Sequence, residues 1–297
     1  MTADARPPRT PQTWKLTLAY DGTGYSGWQI QPREPTIQGE LQAALGRVTG
    51  ESPLPQGSGR TDAGVHAIGQ VASFQLLANI PPQNLQRALN RTLPPAIRVL
   101  ESKTVRSTFH ARHATTGKTY EYQVFREAIC PPFLVRYVYA CPWPMDVELL
   151  KRSARLFLGE HNFLSFAATD PDLAARKLAT TGNSSQDGDP PTAPHHEPPP
   201  GKRGATRTIY ASTWTEQVTE HGPLLVYRIR GNGFLHHMVR NLVGTMLEVG
   251  RGSMDIDAIP AILAARCRDA AGPTAPAQGL FLHSVDYNEA ELTVKTE

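Results

Sequence analysis

The chain has 297 residues, 40% hydrophobic and 19% charged, enough to bury a sizeable core as one large or two smaller globular domains. It has no apolar run near the length of a membrane span, and its opening "MTADARPPRTPQ" has no signal-peptide core, which predicts a cytoplasmic protein without membrane contact. Cys130, Cys141 and Cys267 lie far apart, which excludes a disulfide scaffold and a cysteine zinc site, and the net charge of +3 is only weakly basic.

Elements follow in chain order. "WKLTLAYDG" places Trp14, Leu16, Leu18 and Tyr20 on one face of a half-buried strand that stops at Asp-Gly. "PTIQGELQAALGRVTG" predicts a helix capped by Thr36, with Ile37, Leu41, Leu45 and Val48 on its apolar face. A glycine-rich turn, "GSGRTDAG", leads into a strand over Gln70 to Leu76. Pro81 and Pro82 open a second helix bearing Leu85, Leu89 and Leu93. Strands follow at Ile97 to Val105 and Gly117 to Phe125, the latter with Tyr120, Tyr122 and Val124 on one face. Asp146 caps a helix expected to end near Gly159.

The texture then changes. Residues 171–205 are rich in Pro, Gly, Ser and Asp, with too few apolar groups to offset ordering entropy, so the segment reads as a disordered insertion. His195 and His196 inside it carry no metal-site spacing. Strands resume at Arg207 to Trp214 and Leu224 to Arg230. Helices are expected at Asn232 to Val249 and Ile259 to Arg266, with a last strand at Leu280 to Tyr287. Mixed elements with several short connections predict an α+β fold, its sheet largely antiparallel. The pattern divides the chain into a flexible N-terminus (1–12), an N-terminal subdomain with the glycine turn (13–110) and a C-terminal subdomain (111–297).

Two constellations carry chemistry. On the helix read over Asn232 to Val249, Leu235, Met238, Val239, Leu242, Val243 and Met246 form an apolar stripe. His236, His237, Arg240, Asn241 and Gly244 fall opposite, with His236 and Arg240 one turn apart. Either a solvated polar face or a face for phosphate or carboxylate fits. In the turn, Gly57, Gly59 and Gly64 allow unusual φ values and close approach to the main chain. Asp62 is either a turn residue bonding its own backbone or a positioned carboxylate held ionised by Arg60. A positioned carboxylate is a nucleophile or a general base. Alone, it fits neither a two-carboxylate glycosidase nor a Ser-His-Asp hydrolase. Of thirty basic residues, seven are lysine and twenty-three arginine. Arginine suits phosphates and bases, and a GC-rich genome also favours its codons.

"GSGRTDAGVHAIGQVASF" closely resembles the signature of the TruA family of tRNA pseudouridine synthases. "AYDGTGYSGWQIQ", "TIQGELQAAL", "FHARHATTGKTYEYQVF", "GNGFLHHMVRNLVGTMLEVG" and "AQGLFLHSVDY" resemble further family blocks, in the family's order and over most of the chain. The stretch after Asp170 is longer than the family's. The resemblance implies two ferredoxin/RRM-like subdomains sharing a curved, largely antiparallel sheet, with helices on one face and a cleft between the halves. It implies Asp62 as the catalytic aspartate, Arg60 as its partner, Tyr120 against the target uracil and Arg240 in the cleft. His236 and His237 would contact RNA phosphate or Asp62. It further implies isomerisation of uridines 38–40 in the tRNA anticodon arm by a homodimer. The reaction adds and removes nothing, so no cofactor and no metal are expected. The carboxylate could attack C1′ or C6, or remove a ribose proton. An RNA N-glycosylase releasing uracil and a catalytically silent RNA-binding protein are the alternatives.

Because 175–203 holds almost no core-forming residues, deleting it is expected to leave the melting temperature unchanged; a large drop would show that the segment folds into the core.

Overall fold

The structure is a computed structural model and describes residues 10–168 and 204–293. All but the last two residues of the expected insertion at 171–205, and most of the expected N-terminal arm, lie outside that range. The strands are β1 (Gln12–Tyr20), β2 (Gln56–Gly57), β3 (His66–Leu76), β4 (Ile97–Val105), β5 (Thr115–Phe125), β6 (Tyr139–Ala140), β7 (Gly159–Asn162), β8 (Thr206–Thr219), β9 (Gly222–Gly231) and β10 (Leu280–Tyr287). The helices are α1 (Ile37–Thr49), α2 (Pro82–Thr92), α3 (Val147–Arg155), α4 (Met238–Gly250), α5 (Ala258–Ala265) and α6 (Glu289–Leu292). The fold is α+β, and no helix among the described residues is long and apolar enough to cross a membrane. The described residues fall into two compact units: 10–143, 211–232 and 276–293 form one, and 144–168, 204–210 and 233–275 the other.

The first unit is a large, mostly antiparallel sheet in the order β4-β1-β3-β10-β5-β9-β8. β2 adds to β3 and β6 to β5. β3 and β10 run parallel over His66–Phe281 and Ala67–Leu282. The alternation read in β1 is what the sheet buries: Trp14, Leu16, Leu18 and Tyr20 are all sealed from solvent. α1 starts where its cap predicts, with the Thr36 hydroxyl accepting from Gly39 N–H at 3.3 Å, and ends at left-handed Gly50. α2 packs on β4 and α1 against α2. A second apolar cluster joins Val71, Val105, Phe109 and Ala111 to Val285 and Tyr287.

In the second unit, β7 pairs with the first residues of β8 (Gly159 opposite Ile209, Asn162 opposite Thr206). Asp146 caps α3 through Leu149 N–H at 3.0 Å, but α3 stops at Arg155. Gly159, expected just past the helix, instead opens β7 at φ 90°. Phe157, Phe163 and Phe166 meet edge to face, with ring centroids 5.3 and 6.3 Å apart along the chain of contacts through Phe166.

α4 departs most from expectation. It begins at Met238 rather than near Asn232, because His237 sits at φ 58°, a left-handed conformation that no α-helix interior accommodates. Of its expected polar face, Asn241 and Gly244 are buried and His236, His237 and Arg240 half-buried. Asn241 donates to the Phe166 carbonyl (2.8 Å) and accepts from Thr274 (2.7 Å) and Arg268 (3.2 Å). Gly244 lies against the backbone of Pro273 and Ala275. A Cβ there would meet Pro273 C at 2.9 Å and Ala275 N at 3.3 Å, both main-chain atoms that cannot rotate away. Gly244→Ala is therefore expected to destabilise the protein by about 1–3 kcal/mol, read as a lower denaturant midpoint; an unchanged midpoint would show that the 273–275 segment yields freely.

Candidate active site

The turn between β2 and β3 carries Arg60, exposed, and Asp62, half-buried. Its shape is imposed from several sides within the first unit. Thr61 is buried, and its hydroxyl lies 2.9 Å from the Tyr20 hydroxyl at the end of β1. Gln70, fully buried in β3, donates to Tyr20 Oη (3.3 Å) and to the Gly59 carbonyl (3.0 Å), while its own amide oxygen accepts from Ser58 Oγ (2.8 Å). Lys118 of β5 donates to the Ser58 carbonyl at 2.5 Å. Every buried polar group in this set therefore has a partner, as burial demands.

The loop after β1 supports the turn from another side. Trp28 N–H donates to the Thr61 carbonyl (3.0 Å) and Gly64 N–H to the Tyr25 carbonyl (3.3 Å). The three glycines of the motif act differently from one another. Only Gly64 takes a positive φ, 76°. Gly57 is needed because a Cβ would fall 2.6 Å from the buried Trp28 ring, and at Gly59 it would fall 2.7 Å from Lys118 Nζ. Close approach, more than turn geometry, explains the glycine spacing.

Tyr120 lies in β5 between Leu282 of β10 and Ile229 of β9 and is 8% exposed. Burial pushes its hydroxyl far above the ordinary phenol value, and the neighbouring Tyr20 and Asp62 add to the rise. Burial likewise pushes the Tyr20 phenol up to about 12, against its bonds from Thr61 and Gln70. Both phenols therefore stay protonated at neutral pH. The structure thus brings Asp62, Tyr120 and Tyr20 together, with Arg60 on the same turn.

His236, His237 and Arg240 belong to the second unit. The two imidazoles stack at 4.0 Å between centroids. Arg240 lies on α4, where its Nε donates to the Ala275 carbonyl at 2.8 Å. His236 precedes the helix, so the one-turn spacing with Arg240 does not hold. Sequence reasoning missed Tyr20, Ser58, Thr61, Gln70 and Lys118. Tyr20 appeared only as a core strand residue. Its position at the end of a strand beside an Asp-Gly stop was the one available signal.

Fold and turn together describe an α+β protein organised around one half-buried carboxylate set against buried phenols. The chain belongs to the tRNA pseudouridine synthase family, whose profile matches residues 17–113 and 196–288. Those segments contain Arg60, Asp62, His236, His237 and Arg240; Tyr120 falls between them. It is 44% identical over 274 residues to tRNA pseudouridine synthase A of Solibacter usitatus, covering 92% of this chain and 98% of the relative. The Moorella thermoacetica protein of the same name is 42% identical over 275 residues, with the same coverage. tRNA pseudouridine synthase A 1 of Desulfotalea psychrophila is 40% identical over 272 residues, again with 92% and 98% covered. The protein is an isomerase that converts uridine to pseudouridine.

Tyr20→Phe removes one hydroxyl that two buried groups use. It is expected to cost about 1–3 kcal/mol of stability, by chemical denaturation, and to lower kcat more than it raises KM. A variant with wild-type kcat would show that the turn holds its shape without Tyr20.

Proposed function

We propose that the enzyme isomerises uridines 38–40 of the tRNA anticodon arm with Asp62 as its single catalytic carboxylate. The observation that carries this reading is the placement of Asp62: half-buried, on a turn fixed by Tyr20, Gln70, Ser58 and Trp28, and close enough to Tyr120 to perturb its hydroxyl. A fixed carboxylate reaches a reacting atom without reorganising, which is where enzymes gain most over water.

The reaction breaks the N1–C1′ bond of uridine, turns the uracil and joins C5 to C1′. The C5 hydrogen leaves as a proton and N1 gains one, so atoms and electrons balance without a co-reactant. Asp62 serves either by attacking the sugar or base or by removing a ribose proton. The target base must leave its stack, at a cost of a few kcal/mol. Stacking on an aromatic side chain returns about 1–3 kcal/mol. Tyr120 is held in the sheet on both sides, so accepting a base there orders no further side chain. Arg60 pairs with Asp62, and Arg240, His236 and His237 contribute contacts to the RNA. Recognition rests mainly on RNA shape and backbone, for which a weakly basic, arginine-rich chain suffices. The reading includes a cytoplasmic homodimer in which one tRNA touches both subunits.

Tritium release from tRNA labelled at uridine C5 reports the bond that defines the reaction. Wild type is expected to release tritium and Asp62→Ala to fall by about 10³-fold or more, with tRNA affinity changed no more than a few-fold. Turnover near wild type in the variant would refute Asp62 as the catalytic group. Labelled free uracil would mean a glycosylase, and binding without release would mean a silent RNA-binding protein. Mapping the product to positions outside 38–40 would refute the site assignment alone.

A further inference from the structure

Four residues beyond Asp62, His66 opens β3 with its ring almost wholly sealed, 1% exposed. Two neighbours fix its proton. Gly22 N–H, which can only donate, points at Nδ1 from 3.0 Å. The Arg136 carbonyl, which can only accept, lies 2.9 Å from Nε2. Only a neutral ring protonated on Nε2 satisfies both. Asp21 Oδ1 stands 3.2 Å from the same Nδ1, an ion pair only if the ring takes a second proton. Asp21 is held in place by Thr23 N–H (2.9 Å) and by the Tyr137 hydroxyl (3.0 Å). Phe281 of β10 stacks on the ring at 4.8 Å between centroids, and Tyr137 tilts against it at 5.2 Å.

The ring thus ties the start of β3 to the loop after β1 and to the chain before β6. That first loop is the one that supports the turn of Asp62. A Cβ on Gly22 would fall 2.6 Å from Val65 C, so Gly22 lies directly on the backbone leaving the turn. Further along the loop, Tyr25 and Trp28 hold Gly64 and Thr61. Movement of Gly22 is therefore felt at both ends of the Asp62 segment.

We infer that His66 is a positioning residue for the isomerisation: its neutral imidazole clips the Gly22 loop to the strand leaving the turn of Asp62, and protonation exchanges the Gly22 contact for an Asp21 ion pair and releases the turn. The inference rests on Asp62 being the catalytic carboxylate. Once Nδ1 bears a proton, Gly22 N–H faces another donor and must withdraw, while Asp21 is already within reach. Among the described residues, the charged or titratable groups facing the ring are Asp21 from the loop after β1 and Tyr137 before β6. Arg136 presents its carbonyl, Gln278 its backbone and β10 only Phe281.

Burial holds His66 below its ordinary value, although Asp21 and the backbone of Arg136 and Gln278 pull the other way. For Asp21, burial raises the carboxyl, but Thr23, Tyr137 and His66 together outweigh it and leave it lowered. The unfolded chain therefore protonates His66 first. The stability and the positioned turn are present above the ordinary histidine value and are lost as pH falls through the lowered folded value.

The test is the pH dependence of single-turnover tritium release from neutral pH down through the histidine range. Wild type is expected to lose rate on the acid side by about 10²-fold, the scale of a small misplacement of reacting groups. His66→Asn offers Gly22 a carbonyl acceptor but does not titrate, so its rate should stay flat over that range. His66→Ala should show a reduced kcat at every pH with unchanged tRNA affinity. An acid limb in His66→Asn identical to wild type, or wild-type kcat in His66→Ala, would overturn the inference. Should the variants fail to fold, ¹⁵N imidazole spectra of the wild-type enzyme decide the matter. The Nε2–H tautomer at neutral pH, titrating together with the rate, supports the clip; the Nδ1–H tautomer, or a titration that does not track the rate, overturns it. Activity in Asp62→Ala would instead refute the reading of Asp62, leaving the two failures distinguishable.

Discussion

The Tyr20 hydroxyl is the interaction on which the site turns. It sits where β1 ends, buried, and meets both Thr61 of the turn and Gln70 of β3. In water each of these groups would trade partners freely. Inside the sheet the alternative to this one arrangement is an unsatisfied buried group, worth about 1–3 kcal/mol against it. The turn is short and glycine-rich, which by itself predicts mobility. Its rigidity is borrowed from a buried hydrogen-bond network whose members come from β1, β3 and β5.

That arrangement suits a reaction with no net change in composition. On the proposed reading Asp62 acts while a detached uracil turns, and a carboxylate that wandered would gain nothing there. The same burial that orders the turn keeps Tyr20 and Tyr120 as neutral phenols beside Asp62. They offer apolar faces and hydroxyl dipoles without competing charge. His66 extends the same logic one layer outward, where a buried ring with a fixed tautomer braces the loop that braces the turn.

Much of this was legible in the residues. Alternation marked the buried face of β1, Thr36 marked the start of α1, and the spacing of Leu85, Leu89 and Leu93 marked α2. These are local signals, set by one element's own periodicity and caps. The reading failed where the answer depended on a distant partner. Asn241 and Gly244 look like a polar helix face in sequence. They are buried because the 268–275 segment covers them and supplies hydrogen bonds and backbone contact. His237 breaks the helix by its backbone conformation, which side-chain periodicity does not report. The motif glycines read as sites of unusual φ and close approach; only Gly64 takes a positive φ, and what comes close at Gly57 and Gly59 is Trp28 and Lys118.

By itself, then, the sequence determined the α+β class, most element boundaries, the family, and the presence of one carboxylate on a glycine turn. These follow from local periodicity and from a motif whose residues are contiguous. The tertiary structure alone decided what holds that carboxylate still. Tyr20, Gln70, Lys118 and Trp28 are scattered between positions 20 and 118 and become neighbours only when the strands pair. Burial, a property of the whole fold, then turns ordinary polar side chains into fixed hydrogen-bond partners.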